Sequence, residues 1–262
     1  MPSDDNKIAP PEDLPDVIRR IRAQTPARLL TGRAGAAYKT NTQLDLRESH
    51  AAARDAVRTE LNLLADLGND FIGTWNLFEV PTEAASKDQY LLRPDLGRRL
   101  NETSRAKIKS SCQTGSDLQI VIGDGLSVTA VASQVPSLLP LLHEGAKAKS
   151  WTVGQTFAVR YCRVGVLNQI GDLLRPKVAL LLIGERPGLA TAESLSAYMA
   201  YQPNQFHSDA NRNLISNIHV RGVTTEQAAH RILNLAAAMM QTQTSGYLLR
   251  EKISPAIHQE LV

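Results

Sequence analysis

Gly123-Asp124-Gly125-Leu126-Ser127 follows an apolar run and opens a helical one. Glycines permit a tight turn there, and a helix N-terminus offers free N–H groups to an anion. A dinucleotide site needs the full G-x-G-x-x-G with an acid about 20 residues further on. Val128 stands where the third glycine would be. The segment therefore reads as a tight turn with Asp124 as its cap. Gly184-Glu185-Arg186-Pro187-Gly188 ends the most hydrophobic run of the chain, Val178–Ile183. Glu185 is open to two readings: half of a local ion pair with Arg186, of little energetic weight, or a carboxylate at a binding edge. No Ser/His/Asp order, no H-E-x-x-H and no P-loop is present. The residues alone describe a binding domain, with no catalytic and no metal-ligating set assigned.

Asn217-Ile218-His219-Val220-Arg221-Gly222 nearly matches D-x-H-x-x-G. That motif marks proteins in which a histidine displaces the lower base of cobalamin and ligates cobalt. Its Asp orients the histidine and raises its basicity. Asn217 is uncharged and would do this poorly, so His219 reads as a structural hydrogen-bonder.

The elements that must position these segments follow from composition and periodicity. In 262 residues, 43% hydrophobic and 21% charged, there is enough apolar material for one large domain or a domain with a helical appendage. A net charge of +3 lacks the basic footprint of a dedicated nucleic-acid binder. Val178–Ile183 is too short to span a bilayer, and the acidic start Ser3-Asp4-Asp5 is the reverse of a signal peptide. Cys112 and Cys162 show no paired metal-ligand spacing. A soluble, cytoplasmic protein in a reducing setting is the expectation, with no membrane and no nucleic acid.

Residues 1–115 read as a helical N-terminal region. It begins with a loose, proline-containing arm (Pro2, Pro10, Pro11), then a helix through Val17, Ile18 and Ile21. A long helix from Leu44 to Leu64 is expected to stop at Gly68. From Glu79 the chain reads as irregular, then as a turn at Arg93-Pro94-Asp95 and a basic helix carrying Arg98, Arg99, Arg105, Lys107 and Lys109, a solvated face. Residues 116–262 read as strands at Leu118–Ile122, Thr156–Val164, Val178–Ile183, Ser194–Tyr201 and Leu214–Val220. Helices alternate with the earlier strands, and Thr224 or Thr225 caps a last one through Met239. The pattern predicts an α/β fold, a Rossmann-like doubly wound parallel sheet with a mainly helical N-terminal region. Ligands of such sheets sit outside the carboxyl ends of the strands. The loops Gly123–Ser127, Cys162–Val164 and Gly184–Gly188 would converge there.

Several segments together resemble the small (light) subunit of ethanolamine ammonia-lyase. They are Thr31–Gly35 (TGRAG), Leu91–Leu100 (LLRPDLGRRL), DGL with Ser127, Arg160–Val164 (RYCRV), Gln169-Ile170-Gly171, Ile183–Leu189 (IGERPGL), Glu193–Ser196 (ESLS) and Ile215–His219 (ISNIH). They occur in the family order across about residues 14–245. The resemblance implies an adenosylcobalamin-dependent radical enzyme that converts ethanolamine to acetaldehyde and ammonia. The Co–C bond breaks homolytically, and the adenosyl radical takes hydrogen from the carbon bearing the hydroxyl. It implies a hetero-oligomer, six of each chain, in which the large subunit holds the catalytic barrel and the small subunit grips cobalamin at the interface. The family's cobalamin contacts fall on Val164, Glu185 and Leu214. Leu214 departs from the cysteine of the family pattern, so a contact through its backbone survives and one through sulfur is lost. The enteric members carry a longer N-terminal extension linked to packaging in an ethanolamine-utilising bacterial microcompartment, and that route is not expected here. From another class, a non-enzymatic Rossmann-like nucleotide-binding or regulatory module fits the residues alone, and a structural adaptor fits them less well.

Overall fold

A computed structural model describes residues 16–23, 28–188 and 190–251. The expected loose arm lies outside them. Helix α1 (Asp16–Ala23) and a small hairpin, β1 (Arg33–Ala34) with β2 (Ala37–Tyr38), precede the long helix α2 (Thr40–Arg58). The expected helix up to Gly68 is broken: α2 ends at Arg58, and Asn62 caps a new short helix α3 (Leu63–Leu67) by accepting from the Ala65 amide. Gly68 does end α3, at φ +81°, and α4 (Asn69–Trp75) follows.

Next come β3 (Glu79–Pro81), α5 (Lys87–Leu92) and α6 (Glu102–Ser111), the last capped by Asn101. The basic helix therefore starts after Arg98 and Arg99. The remaining elements are β4 (Leu118–Gly123), α7 (Val128–Ala148), β5 (Phe157–Arg160), α8 (Val166–Leu174), β6 (Val178–Gly184), β7 (Leu195–Tyr201), β8 (Asn213–Ile218) and α9 (Thr225–Thr242). Thr224 and Gln227 close a capping box at the start of α9.

The strands after the β1–β2 hairpin form one mixed sheet in the order β3-β5-β4-β6-β7-β8. β4 and β6 sit at its centre and alternate strictly. Leu118, Ile120, Ile122, Leu180 and Leu182 pack with α7 and α9 on one face, while Val121, Ala179, Leu181 and Ile183 pack with α8 and Ile108 of α6 on the other. Burial on both faces is why these strands read as unbroken apolar runs.

Two expectations are corrected. The sheet is not parallel throughout: β3, β5, β4 and β6 are mutually parallel, but β7 pairs antiparallel with β6, and β8 with β7. The connection 185–194 is shorter than the dozen or more residues a parallel crossover takes. A strand also stands where irregular chain was expected: β3 pairs with β5, so the sheet extends before residue 116. β3 has only three residues and ends in Pro81, which is tolerated because β3 is an edge strand. No helix among the described residues is long and apolar enough to cross a membrane.

Candidate functional site at the carboxyl edge of the sheet

The loops after β4 and β6 touch backbone to backbone. A Cβ on Gly184 would lie 1.9 Å from the Ser127 carbonyl oxygen, and one on Gly125 (φ +56°) 2.3 Å from the Gly184 oxygen. Only glycine fits either place. The Leu126 amide donates to the Gly184 carbonyl at 3.1 Å and locks the two loops together.

Asp124 is not the helix cap that the sequence implied. Ser127 caps α7, its Oγ accepting from the Ala130 amide and donating to the Ala192 carbonyl. The Asp124 carboxylate is fully buried and accepts from the Tyr161 and Cys162 amides, each at 2.8 Å. Lys87 of α5, also buried, lies 3.8 Å from it and donates to the Gly125 carbonyl at 3.0 Å. Burial pushes the Asp124 carboxyl up and the Lys87 ammonium down. Each partner's charge opposes the other's shift, and the Tyr161 and Cys162 amides likewise favour the carboxylate form of Asp124.

That carboxylate shapes the loop after β5. Tyr161 has φ +56°, a conformation non-glycine residues adopt only when their surroundings impose it. Here Asp124 holds two of the loop's amides, Thr82 Oγ1 donates to the Tyr161 carbonyl at 3.0 Å, and Tyr90 OH donates to the Cys162 carbonyl at 3.0 Å. The loop therefore presents Arg163 and Val164 outward. Burial pushes the Cys162 thiol well up, so Cys162 is a packing residue beneath Gly123 and no nucleophile.

Between these loops and β7–β8 lies an open cleft of about 450 Å³. Its floor is the face of β7 and β8 opposite α9, where Ser196, Tyr198, Leu214 and Ser216 line it. Val164, Glu185 and Leu214, from three separate loops and strands, all line this one cleft. Leu214 is 45% exposed on the strand at the sheet's edge. Glu185 accepts from Ser194 Oγ at 2.9 Å, from Ser196 Oγ, and from the Asn217 amide at 3.2 Å. Its carboxylate is engaged by β7 and the end of β8, not by Arg186.

His219 lies beside the cleft with both ring nitrogens engaged. Nδ1 accepts from the Arg221 amide at 3.3 Å, which leaves Nε2 to donate to Asn217 Oδ1 at 2.8 Å. Burial and then Arg221 hold its pKa below the ordinary 6.5, which keeps the ring neutral. Asn217 takes φ +61°, and Gly222 approaches it so closely that a Cβ would lie 2.3 Å from its carbonyl oxygen. The near-motif is thus a turn. Lys87, Tyr90 and Thr82 shape the site from residues 38 to 79 positions away from their partners, and no local pattern announces them.

A mixed α/β sheet with an open cleft over β7 and β8 defines an α/β protein with one candidate binding site at its carboxyl edge. Comparison with known proteins supplies the family. The model of the ethanolamine ammonia-lyase light chain matches residues 15–250. The ethanolamine ammonia-lyase small subunit of Clostridium perfringens is 43% identical over 230 residues, 88% of this chain and 76% of the relative. That of Clostridium acetobutylicum is 40% identical over 233 residues, 89% and 94% of the two chains. That of Fusobacterium nucleatum is 41% identical over 231 residues, 88% and 76%. The chain belongs to the ethanolamine ammonia-lyase light-chain family.

Proposed function

We propose that this light chain supplies one wall of an adenosylcobalamin site and that the large subunit supplies the other, in an enzyme that converts ethanolamine to acetaldehyde and ammonia. The observation that carries the reading is the convergence of Val164, Glu185 and Leu214 on one cleft. The lining suits a corrinoid. Val164, Leu126 and Leu214 offer apolar surface to a broad ring, and Glu185, Ser196, Ser216 and the Tyr198 hydroxyl offer partners for its rim of carboxamides. Burial raises the Tyr198 phenol, so it stays a neutral donor. A corrinoid is larger than this cleft, and a second surface must cover what projects.

When bound, the cofactor supplies homolysis of its Co–C bond and hence the radical that starts the reaction. The residues of this chain bind, orient and shield. Glu185 accepts an N–H from the ring's edge with the lone pairs that Ser194, Ser196 and Asn217 leave free. Leu214 gives the ring an apolar contact that does not depend on sulfur. His219, committed at both nitrogens, does not ligate cobalt, and the cofactor keeps its own lower base. The complex is read as six copies of each chain, in the cytoplasm or in a bacterial microcompartment.

Co-expression with the large subunit, followed by adenosylcobalamin titration and an acetaldehyde assay, tests this. The complex should take up the corrinoid with a visible spectral change and form acetaldehyde, and the light chain alone should form none. A complex that shows no corrin absorption but retains a nucleotide would favour the regulatory-module reading and overturn this one.

A further inference from the structure

The cleft carries two cations and one anion, and the anion is already engaged. Arg163 and Arg186 both line it. Glu185 is turned to Ser194, Ser196 and Asn217, and Asp124 belongs to Lys87. Among the described residues no carboxylate pairs with Arg163 or Arg186, and the Arg163 Nε is buried without a hydrogen-bond partner. Arg163 is nevertheless well placed: its guanidinium lies over the Tyr90 ring, 4.3 Å from the centroid, and Tyr90 is fixed by its bond to the Cys162 carbonyl. Stacking on a ring face leaves a guanidinium's edge, with its fork of donors, free to bond, and Arg163 lines the cleft. A planar, pre-oriented cation without an acid partner suits a tetrahedral oxyanion.

Resting on the corrinoid reading, we propose that Arg163, seconded by Arg186, binds the phosphodiester of the cofactor's nucleotide loop. The phosphodiester is the one formally anionic group on that side of the molecule. The ring's carboxamides are neutral and are matched by the serines, Tyr198 and Glu185. Arg163 thereby fixes where the nucleotide loop leaves the ring, and the more exposed Arg186, which also lines the cleft, adds a second cation.

The test uses the assembled two-subunit complex and two probes, adenosylcobinamide and adenosylcobinamide phosphate, which differ only by the phosphate. Affinity is read from the change in visible absorption. The parent complex should prefer the phosphorylated probe by about tenfold or more, the range of a charge-assisted hydrogen bond. Added salt should shrink that preference, a measurement that needs no variant. Arg163→Met should bring the two affinities within about twofold, with the phosphate-free probe little affected, and Arg163→Lys should retain part of the preference. A parent complex without preference, or an Arg163→Met complex that keeps it, overturns the proposal. If Arg163→Met lowers the yield of complex while the preference persists, Arg163 serves an acidic group of the large subunit instead. If the parent complex binds neither probe nor adenosylcobalamin, it is the corrinoid reading itself that fails; if it binds adenosylcobalamin but neither probe, affinity resides in the base and not in the phosphate, and the proposal is overturned.

Discussion

Replacing Glu185 separates a cofactor contact from a strut of the cleft rim. Its carboxylate accepts from Ser194, Ser196 and the Asn217 amide and so ties the loop after β6 to β7 and the end of β8. In Glu185→Ala the buried hydroxyls of Ser194 and Ser196 lose their acceptor, whereas the exposed Asn217 amide can turn to water. The loss of stability should therefore be about 1–3 kcal/mol, or roughly 2–12 °C in Tm for a chain of this size. The loss of affinity is a separate effect, read on complex that has assembled. A ring amide that loses a charged acceptor forfeits about 1.5–3 kcal/mol, which weakens adenosylcobalamin binding by roughly 10- to 100-fold. Glu185→Gln can keep an oxygen toward the Asn217 amide and donate its N–H to Ser194, so its Tm should stay near that of the parent while affinity falls by less than in the alanine variant. The assay is titration of the assembled complex by visible absorption, with assembly checked by size. The ethanolamine concentration for half-maximal rate should not move at saturating cofactor. If Glu185→Ala assembles and binds cofactor as tightly as the parent, Glu185 is a rim strut only and the site assignment fails.

Gly184→Ala drives a methyl group into the Ser127 carbonyl and should cost about 1–3 kcal/mol as the loops part, read as a lower Tm; an unchanged Tm would show that the loops are not in contact. Asp124→Asn and Lys87→Met each strand a buried partner and should each cost about 3–5 kcal/mol in denaturant unfolding. The double variant should recover part of that sum, and strictly additive losses would mean that the two side chains do not interact. His143, His207 and His219 are all held below the ordinary 6.5, in each case chiefly by burial. The unfolded chain therefore takes up protons first, so stability is full above pH 6.5 and falls as the pH drops below it. A Tm that stays flat or rises on acidification through that range would contradict the sign.

What the sequence made legible follows physical lines. β4 and β6 could be read because both faces are buried, and α9 because Thr224 and Gln227 advertise its start. The loops Gly123–Ser127 and Gly184–Gly188 could be placed at one edge because apolar runs precede them, whereas Val164, Glu185 and Leu214 were expected only from the family resemblance. β3 escaped because three residues ending in proline carry no period. The break after Arg58 escaped because the apolar spacing continues across it to Leu64. Asp124 was found, but its role was misread. A buried carboxylate is identified by what surrounds it, and the amides of Tyr161 and Cys162 and the Lys87 ammonium are remote in sequence.

The largest departure, the direction of β7 and β8, is also the origin of the site. A parallel continuation of the sheet would need a crossover after β6 and another after β7, each laying a helix on a face. Instead, short connections reverse the chain twice, and α9 covers only the face carrying Ala197, Met199, Ile215 and Ile218. The opposite face, with Ser196, Tyr198, Leu214 and Ser216, receives no α-helix from the described residues of either connection and becomes the floor of the cleft. The reversal also sets the ends of β6 and β8 and the start of β7 along one edge, since Gly184 pairs with Leu195 and Leu195 with Ile218. Glu185 can therefore reach Ser194 and Asn217 at once. A partly apolar sheet face left bare, rimmed by oriented polar groups, is unfinished as a monomer surface and suited to being closed by a ligand and a second chain. A light chain that works only in an assembled lyase needs that arrangement, and two antiparallel strands supply it.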